Sequence, residues 1–133
     1  MATTFNQEVL KEGMDYLQKK DTDLKKIVSK LKFNIPLFER PQGFEGIVNL
    51  IVEQQLSVAS AKAIFLRIKS LMDNFRPIDF SKVDDLDLKK AGLSYQKISY
   101  CKGLANACIQ KKLDFKSIEN MNNTDAINYL IRF

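Results

Sequence analysis

Apolar residues recur along this chain at helical spacing. Leu24, Ile27, Val28 and Leu31 stand at i, i+3, i+4 and i+7, an amphipathic stripe that predicts a helix capped by Asp21. Upstream, Val9, Leu10, Met14 and Leu17 keep the same rhythm behind Thr4 and Gln7, whose spacing suits a capping box. Phe44, Ile47, Val48 and Ile51 define a third helix ending near Gln55. Ser57 caps a fourth, with Ala61, Ile64, Phe65, Ile68 and Leu71 on its inner face, and Arg76-Pro77 breaks it. Asp84 to Lys90 reads as a short helix closed by Gly92 in the C′ position, with the preceding lysines suited to the helix dipole. Ser94 caps a long helix with Ile98, Cys101, Ala105, Cys108 and Ile109 inward. Thr124 or Asn123 caps a last segment in which Ala126, Ile127, Leu130 and Ile131 are apolar. Pro36 and Pro41 make the stretch between the second and third helices a loop.

The expectation is therefore all-α: a bundle of about seven helices in a single domain spanning 1–133. Its parts are the first two helices (1–32), a helix pair (44–72) and the remaining helices (84–133), with no internal repeat and no linker.

Composition narrows the class further. A chain of 133 residues makes one domain and hides roughly two-thirds of its unfolded surface, enough for a core without staples. Hydrophobic residues at 45% and charged residues at 28% fit an ordinary globular protein. Five glycines and three prolines are too few for the turns of a many-stranded sandwich. No apolar run approaches the ~18 residues that span a bilayer, and Met1 to Lys19 holds no signal-peptide core, so no membrane partner is expected. With no histidine and two cysteines, a zinc site and a histidine-based triad are excluded; no metal and no cofactor are expected. Cys101 and Cys108 on one helix stand ~10 Å apart along its axis, too far to bridge. Two reduced cysteines point to the cytoplasm.

The charge is uneven. There are 21 basic and 16 acidic residues, yet between Lys89 and Lys116 seven lysines face the single acid Asp114. A local basic excess suggests a polyanion partner; a solvated lysine-rich helix explains it equally well. On a helical wheel Lys97, Lys102, Lys111 and Lys112 scatter instead of forming one stripe.

The segment Glu53-Gln54-Gln55-Leu56-Ser57 carries the most information. Continued as a helix, it puts Gln55 on the apolar face of Phe44 and Ile51. An amide there must find partners or lose about 1–3 kcal/mol. Two readings stand: a buried glutamine bonded to nearby backbone, or a tight turn that projects Gln54, Gln55 and Leu56 into a partner.

Phe44-Glu45-Gly46-Ile47-Val48, then Ile51-Val52-Glu53-Gln54-Gln55-Leu56-Ser57, then Ala59 and Ala61, resembles the pattern F-E-x-L-V-x-x-I-I-x-Q-Q-L-S-x-x-A-A. That pattern belongs to the DNA-3-methyladenine glycosylase II family of the helix-hairpin-helix DNA glycosylase superfamily. Tyr16-Leu17 with Asp21 to Ile27, and Ala91-Gly92-Leu93-Ser94 with Lys97 and Leu104-Ala105, resemble two further family segments in the same order and spacing. The resemblance implies base-excision repair, with hydrolysis of the N-glycosidic bond of alkylated bases in double-stranded DNA. It implies that Gln55 fills the gap left by a flipped base, flanked by Gln54 and Leu56, with Ser57 at a helix start near a phosphate. Ser94 and Lys97 are candidate phosphate contacts.

In that family a G-x-G hairpin and a catalytic aspartate follow the last helix seen here. Neither stands within 1–133, and surface or cap roles suffice for Asp114 and Asp125. No catalytic residue is therefore assigned. The expectation is a chain inactive or impaired alone in releasing alkylated bases. Its alternatives are a non-catalytic binder of alkylated or abasic duplex, and an interaction module that self-associates or pairs with a second chain.

Overall fold

The computed structural model describes residues 5–32 and 35–133, and every regular element among them is helical. By its internal contacts the chain falls into two compact units, Met1–Glu39 and Arg40–Phe133.

The first unit contains α1 (Gln7–Lys20) and α2 (Thr22–Leu31). Asn6 caps α1, its side-chain oxygen accepting from the Val9 N–H at 2.9 Å. The Thr4 cap expected from the sequence lies outside the described residues. Asp21 serves both helices: its backbone N–H donates to the Leu17 carbonyl, and its carboxylate accepts from the amides of Asp23 and Leu24. One residue thus satisfies orphan groups at the end of α1 and the start of α2. Val28 is buried on the predicted stripe, while Ile27 and Leu31 are exposed.

The second unit comprises α3 (Gly43–Glu53), α4 (Val58–Lys69), α5 (Pro77–Lys82), α6 (Asp85–Ala91), α7 (Tyr95–Ile109), α8 (Phe115–Ile118) and α9 (Asn123–Leu130). Its core joins Val48 and Val52 of α3, Ile64 and Ile68 of α4, Phe80 of α5, Leu88 of α6, and Ile98, Cys101 and Ala105 of α7. Among the described residues no polar or charged residue is buried, so this core stabilises by apolar burial alone. Phe44 meets Phe80 edge-on at 5.7 Å, and Phe75 lies between Phe65 and Phe80 at 5.4 and 6.0 Å, fixing α3, α4 and α5 around aromatic contacts.

The described residues carry nine helices where periodicity predicts about seven. Pro77 starts α5 instead of merely ending α4: a proline at N1 lacks an N–H that would be unpaired there anyway. The fourth helix stops at Lys69, leaving Leu71 exposed. With four residues, α8 is too short to display a period. Ile109, expected inward, is exposed, and Asn122 caps α9 in place of the neighbouring Asn123 or Thr124.

One close approach holds the entry to α3. A Cβ on Gly46 would run into the Pro41 carbonyl oxygen, so the loop can lie against α3 only over a residue without a side chain.

Candidate nucleic-acid interface

The third helix ends at Glu53 because the chain turns there. Gln54 has φ −57° and ψ 128°, Gln55 has φ 58°, and the Leu56 N–H donates to the Glu53 carbonyl at 3.2 Å. These values describe a type II β-turn, whose central residues sit near about (−60°, +120°) and about (+80°, 0°). The second central position favours glycine or asparagine, yet here it holds glutamine in the left-handed region. Of the two sequence readings, the exposed turn is the one observed. Gln54 and Gln55 are both exposed, and neither side-chain amide hydrogen-bonds another described residue.

The next helix begins three residues after the turn's left-handed residue. Ser57 caps α4, its hydroxyl oxygen accepting from the Ser60 N–H at 3.2 Å and donating to the Ser60 hydroxyl at 2.9 Å. The first turn of α4 holds no acid, so its positive dipole end is not offset locally. Leu56 is 41% exposed and Val58 86% exposed. Turn and helix start together make a blunt apolar and amide knuckle. Behind it, Arg40 Nη2 lies 2.8 Å from Glu53 Oε2, pinning the chain before α3 to the last residue of that helix.

Lys97 supports the turn from below. Its ammonium donates to the carbonyl oxygens of Val52 at 2.9 Å and Gln54 at 2.7 Å, so a cation from α7 satisfies acceptors at the C-terminal end of α3. Ser94 caps α7 by accepting from the Lys97 N–H at 3.2 Å, which fixes the root of that lysine. The candidate residues Gln54, Gln55, Leu56 and Ser57 are therefore contiguous at one exposed turn, and Lys97 touches that turn's backbone, held by Ser94.

The lysine-rich segment is not one surface. Lys102 also turns inward, donating to the carbonyls of Ser81 and Val83. Lys90 pairs with Asp87 at 3.5 Å, and the Lys89 ammonium lies 4.8 Å from the Tyr95 ring centre. Asp114 caps α8, and Asp125 accepts from the Asn122 amide at the start of α9, so both have local structural work. Burial pushes the Cys101 thiol up to about 12, against the opposing pull of Lys97, and Cys108 is also raised, chiefly by burial, so neither thiol is activated as a nucleophile.

Sequence reasoning missed Val58 as a participant and, for the named candidate Lys97, the contacts it makes with the turn. Val58 follows a cap residue at a position whose exposure no local pattern reveals. The inward turn of Lys97 spans 45 residues to Val52, beyond the reach of any helical wheel.

Comparison with known proteins returns the same family from several directions. Residues 48–129 match the model described as HhH-GPD superfamily base excision DNA repair protein. DNA-3-methyladenine glycosylase 1 of Schizosaccharomyces pombe is 29% identical over 96 residues, covering 69% of this chain and 42% of that protein. The crystal structure of a DNA-3-methyladenine glycosidase from Bacillus halodurans aligns with a TM-score of 0.66 and 33% identity, over 74% of this chain and 46% of its own. A Schizosaccharomyces pombe 3-methyladenine DNA glycosylase in complex with abasic-DNA aligns with a TM-score of 0.79 and 24% identity, over 92% of this chain and 62% of its own; at that identity the likeness is one of fold. The chain thus spans less than two-thirds of the length of each.

Proposed function

The chain belongs to the HhH-GPD superfamily of base excision DNA repair proteins, and from that premise we propose that it engages alkylated or abasic duplex DNA, with the Gln54–Ser57 turn as its wedge. Excising a base requires the nucleotide to leave the stack, which costs a few kcal/mol, and proteins commonly fill the gap with an inserted side chain. Gln55 is the inserting group. Its flexible amide can occupy the space of a base and offer both donors and acceptors to the orphaned partner. Gln54 and Leu56 brace the flanking bases, and the start of α4 at Ser57 approaches a backbone phosphate.

The observation that carries this reading is the left-handed φ of 58° at Gln55. Glycine would occupy that position without strain. A long polar side chain held there, exposed and without a partner among the described residues, points to a ligand as its use. The abasic-DNA complex of the fission-yeast relative supports the choice of ligand.

Base release then needs a carboxylate beside the sugar to stabilise an oxocarbenium-like centre while water attacks; an alkylated, cationic base leaves readily. The carboxylates nearest in sequence to the turn are engaged elsewhere, Glu53 with Arg40 and Glu45 with Lys69. The 133-residue chain accordingly binds and distorts duplex while releasing 3-methyladenine slowly or not at all alone. The proposed compartment is the cytoplasm, where the free thiols Cys101 and Cys108 stay reduced.

Fluorescence anisotropy with intact, mismatched and abasic duplexes across a salt series tests the proposal. Tighter binding to the abasic duplex, with affinity falling as salt rises, supports it. Equal affinity for all three overturns it. Release of 3-methyladenine at an ordinary enzymatic rate by this chain would overturn the impairment alone.

A second reading concerns α9. Ile127 of α9 and Ile131 just after its end are exposed, the latter at 74%, and α9 buries no residue of its own. Such a face suits self-association or a second chain. A single monomeric species in sedimentation at micromolar concentration would remove it.

A further inference from the structure

Type I and type II turns share their end points and differ by a flip of the central peptide, which turns over the carbonyl of the first central residue. In the Glu53–Leu56 turn that carbonyl belongs to Gln54. It is the oxygen that the Lys97 ammonium holds at 2.7 Å. We propose that Lys97 is a positioning residue for the wedge: by holding the Gln54 carbonyl it selects the type II peptide orientation and so sets the direction of Gln55. This inference rests on the wedge reading.

Three observations support the selection. First, the left-handed φ at Gln55 is unfavourable for a residue with a Cβ, so something outside the turn must favour it. A bond from an ammonium to a carbonyl is charge-assisted and stronger than a neutral one. Second, the same ammonium also holds the Val52 carbonyl at 2.9 Å, so it is anchored to the last regular turn of α3 and reaches the flipped peptide from a fixed point. Third, the backbone N–H of Lys97 is itself bonded to the Ser94 hydroxyl at the start of α7, which fixes the origin of the side chain. Together they tie the wedge to a helix that begins 39 residues beyond Leu56 in sequence. Without the ammonium, the Gln54–Gln55 peptide is free to flip toward type I, where φ at the second central residue is near about −90° and the side chain leaves at a different angle.

A phosphate contact by Lys97 makes different predictions. A lysine that neutralises a phosphate contributes to affinity on every duplex and steepens the salt dependence by roughly one counterion. A lysine that aims Gln55 contributes only where there is a gap to fill.

The test combines a structure with a mutant cycle. Lys97→Met is expected to show the Gln54 carbonyl turned away and a negative φ at Gln55 in a crystal structure. In anisotropy it should lower the preference for abasic over intact duplex by roughly tenfold, the equivalent of one contact. Intact-duplex affinity and its salt slope should stay unchanged. Gln55→Ala should cost a similar factor, and the double variant little more, because both remove one insertion. Lys97→Gln keeps a donor without the charge and serves the same comparison where Lys97→Met does not fold. Loss of affinity on intact duplex with a shallower salt slope overturns the positioning role, as does an unmoved turn with unchanged abasic preference. If Gln55→Ala itself leaves the preference unchanged, the wedge reading falls instead.

Discussion

Arg67 donates from Nε to the carbonyl oxygen of Ala91 at 2.8 Å, joining α4, the helix that follows the Gln54–Gln55 turn, to the last residue of α6. The next residue, Gly92, closes α6 in the left-handed region at φ 119°, its N–H donating to the Leu88 and Lys89 carbonyls. A Cβ on Gly92 would stand 2.8 Å from Ile64 Cγ1 and 3.4 Å from Arg67 Nη2. The α4–α6 junction therefore needs a residue that is both left-handed and bare.

Gly92→Ala should cost roughly 1–3 kcal/mol from backbone strain, with the Ile64 contact adding to it. Urea unfolding measures the loss. A change within error would mean that the junction relaxes more freely than its packing implies.

Lys102 does for α5 what Lys97 does for α3. Its ammonium serves the Ser81 and Val83 carbonyls at the end of α5, with Asp85 at 3.6 Å. Lys102→Met strands two acceptors and should lose about 1–3 kcal/mol, whereas Asp85→Asn removes only an exposed partner and should lose less than about 1 kcal/mol. Comparing the two midpoints in denaturant separates carbonyl capping from ion pairing.

Stability should fall with acid partly through Asp79. Its carboxyl is held below the ordinary 3.8, first by the hydrogen bond from Arg76, whose Nε lies 2.6 Å away. A depressed carboxyl stabilises the fold above its unfolded value and loses that contribution as pH drops through the folded one. The melting temperature of the wild type should therefore exceed that of Asp79→Asn at neutral pH. The gap should narrow as pH falls below about 4. A gap that stays constant down to pH 2 contradicts this.

The two thiols should differ in reactivity. Cys101 is fully buried with its thiol pushed up to about 12, while Cys108 is only half-buried, its thiol also raised by burial. Alkylation of the folded protein at pH 8, followed by mass spectrometry, should modify Cys108 first and Cys101 only on unfolding. Equal rates would mean that the core around α7 opens easily.

Local chemistry made much of this fold legible. Asp21, Ser57, Ser94 and Gly92 cap the helices that the sequence assigns to them, because capping depends on neighbours within four residues. What escaped was non-local or ambiguous. Pro77 carries the same signal whether it stops one helix or opens another. Exposure of Ile127 and Leu71 depends on which neighbours arrive, and periodicity says only that a stripe exists. At the candidate site, the residues were readable and their conformation was not. Nothing in Gln54-Gln55 demands a positive φ, and the ammonium that accompanies it comes from another helix.

The most direct measurement compares Gln55→Ala with the wild type on an abasic duplex and an otherwise identical intact one, at one fixed salt concentration. An exposed side chain contributes little to stability, so the melting temperature should hold. Abasic-site preference should drop severalfold while intact-duplex affinity stays level. An unchanged preference would contradict the wedge, and a large loss of melting temperature in its place would return Gln55 to a structural role.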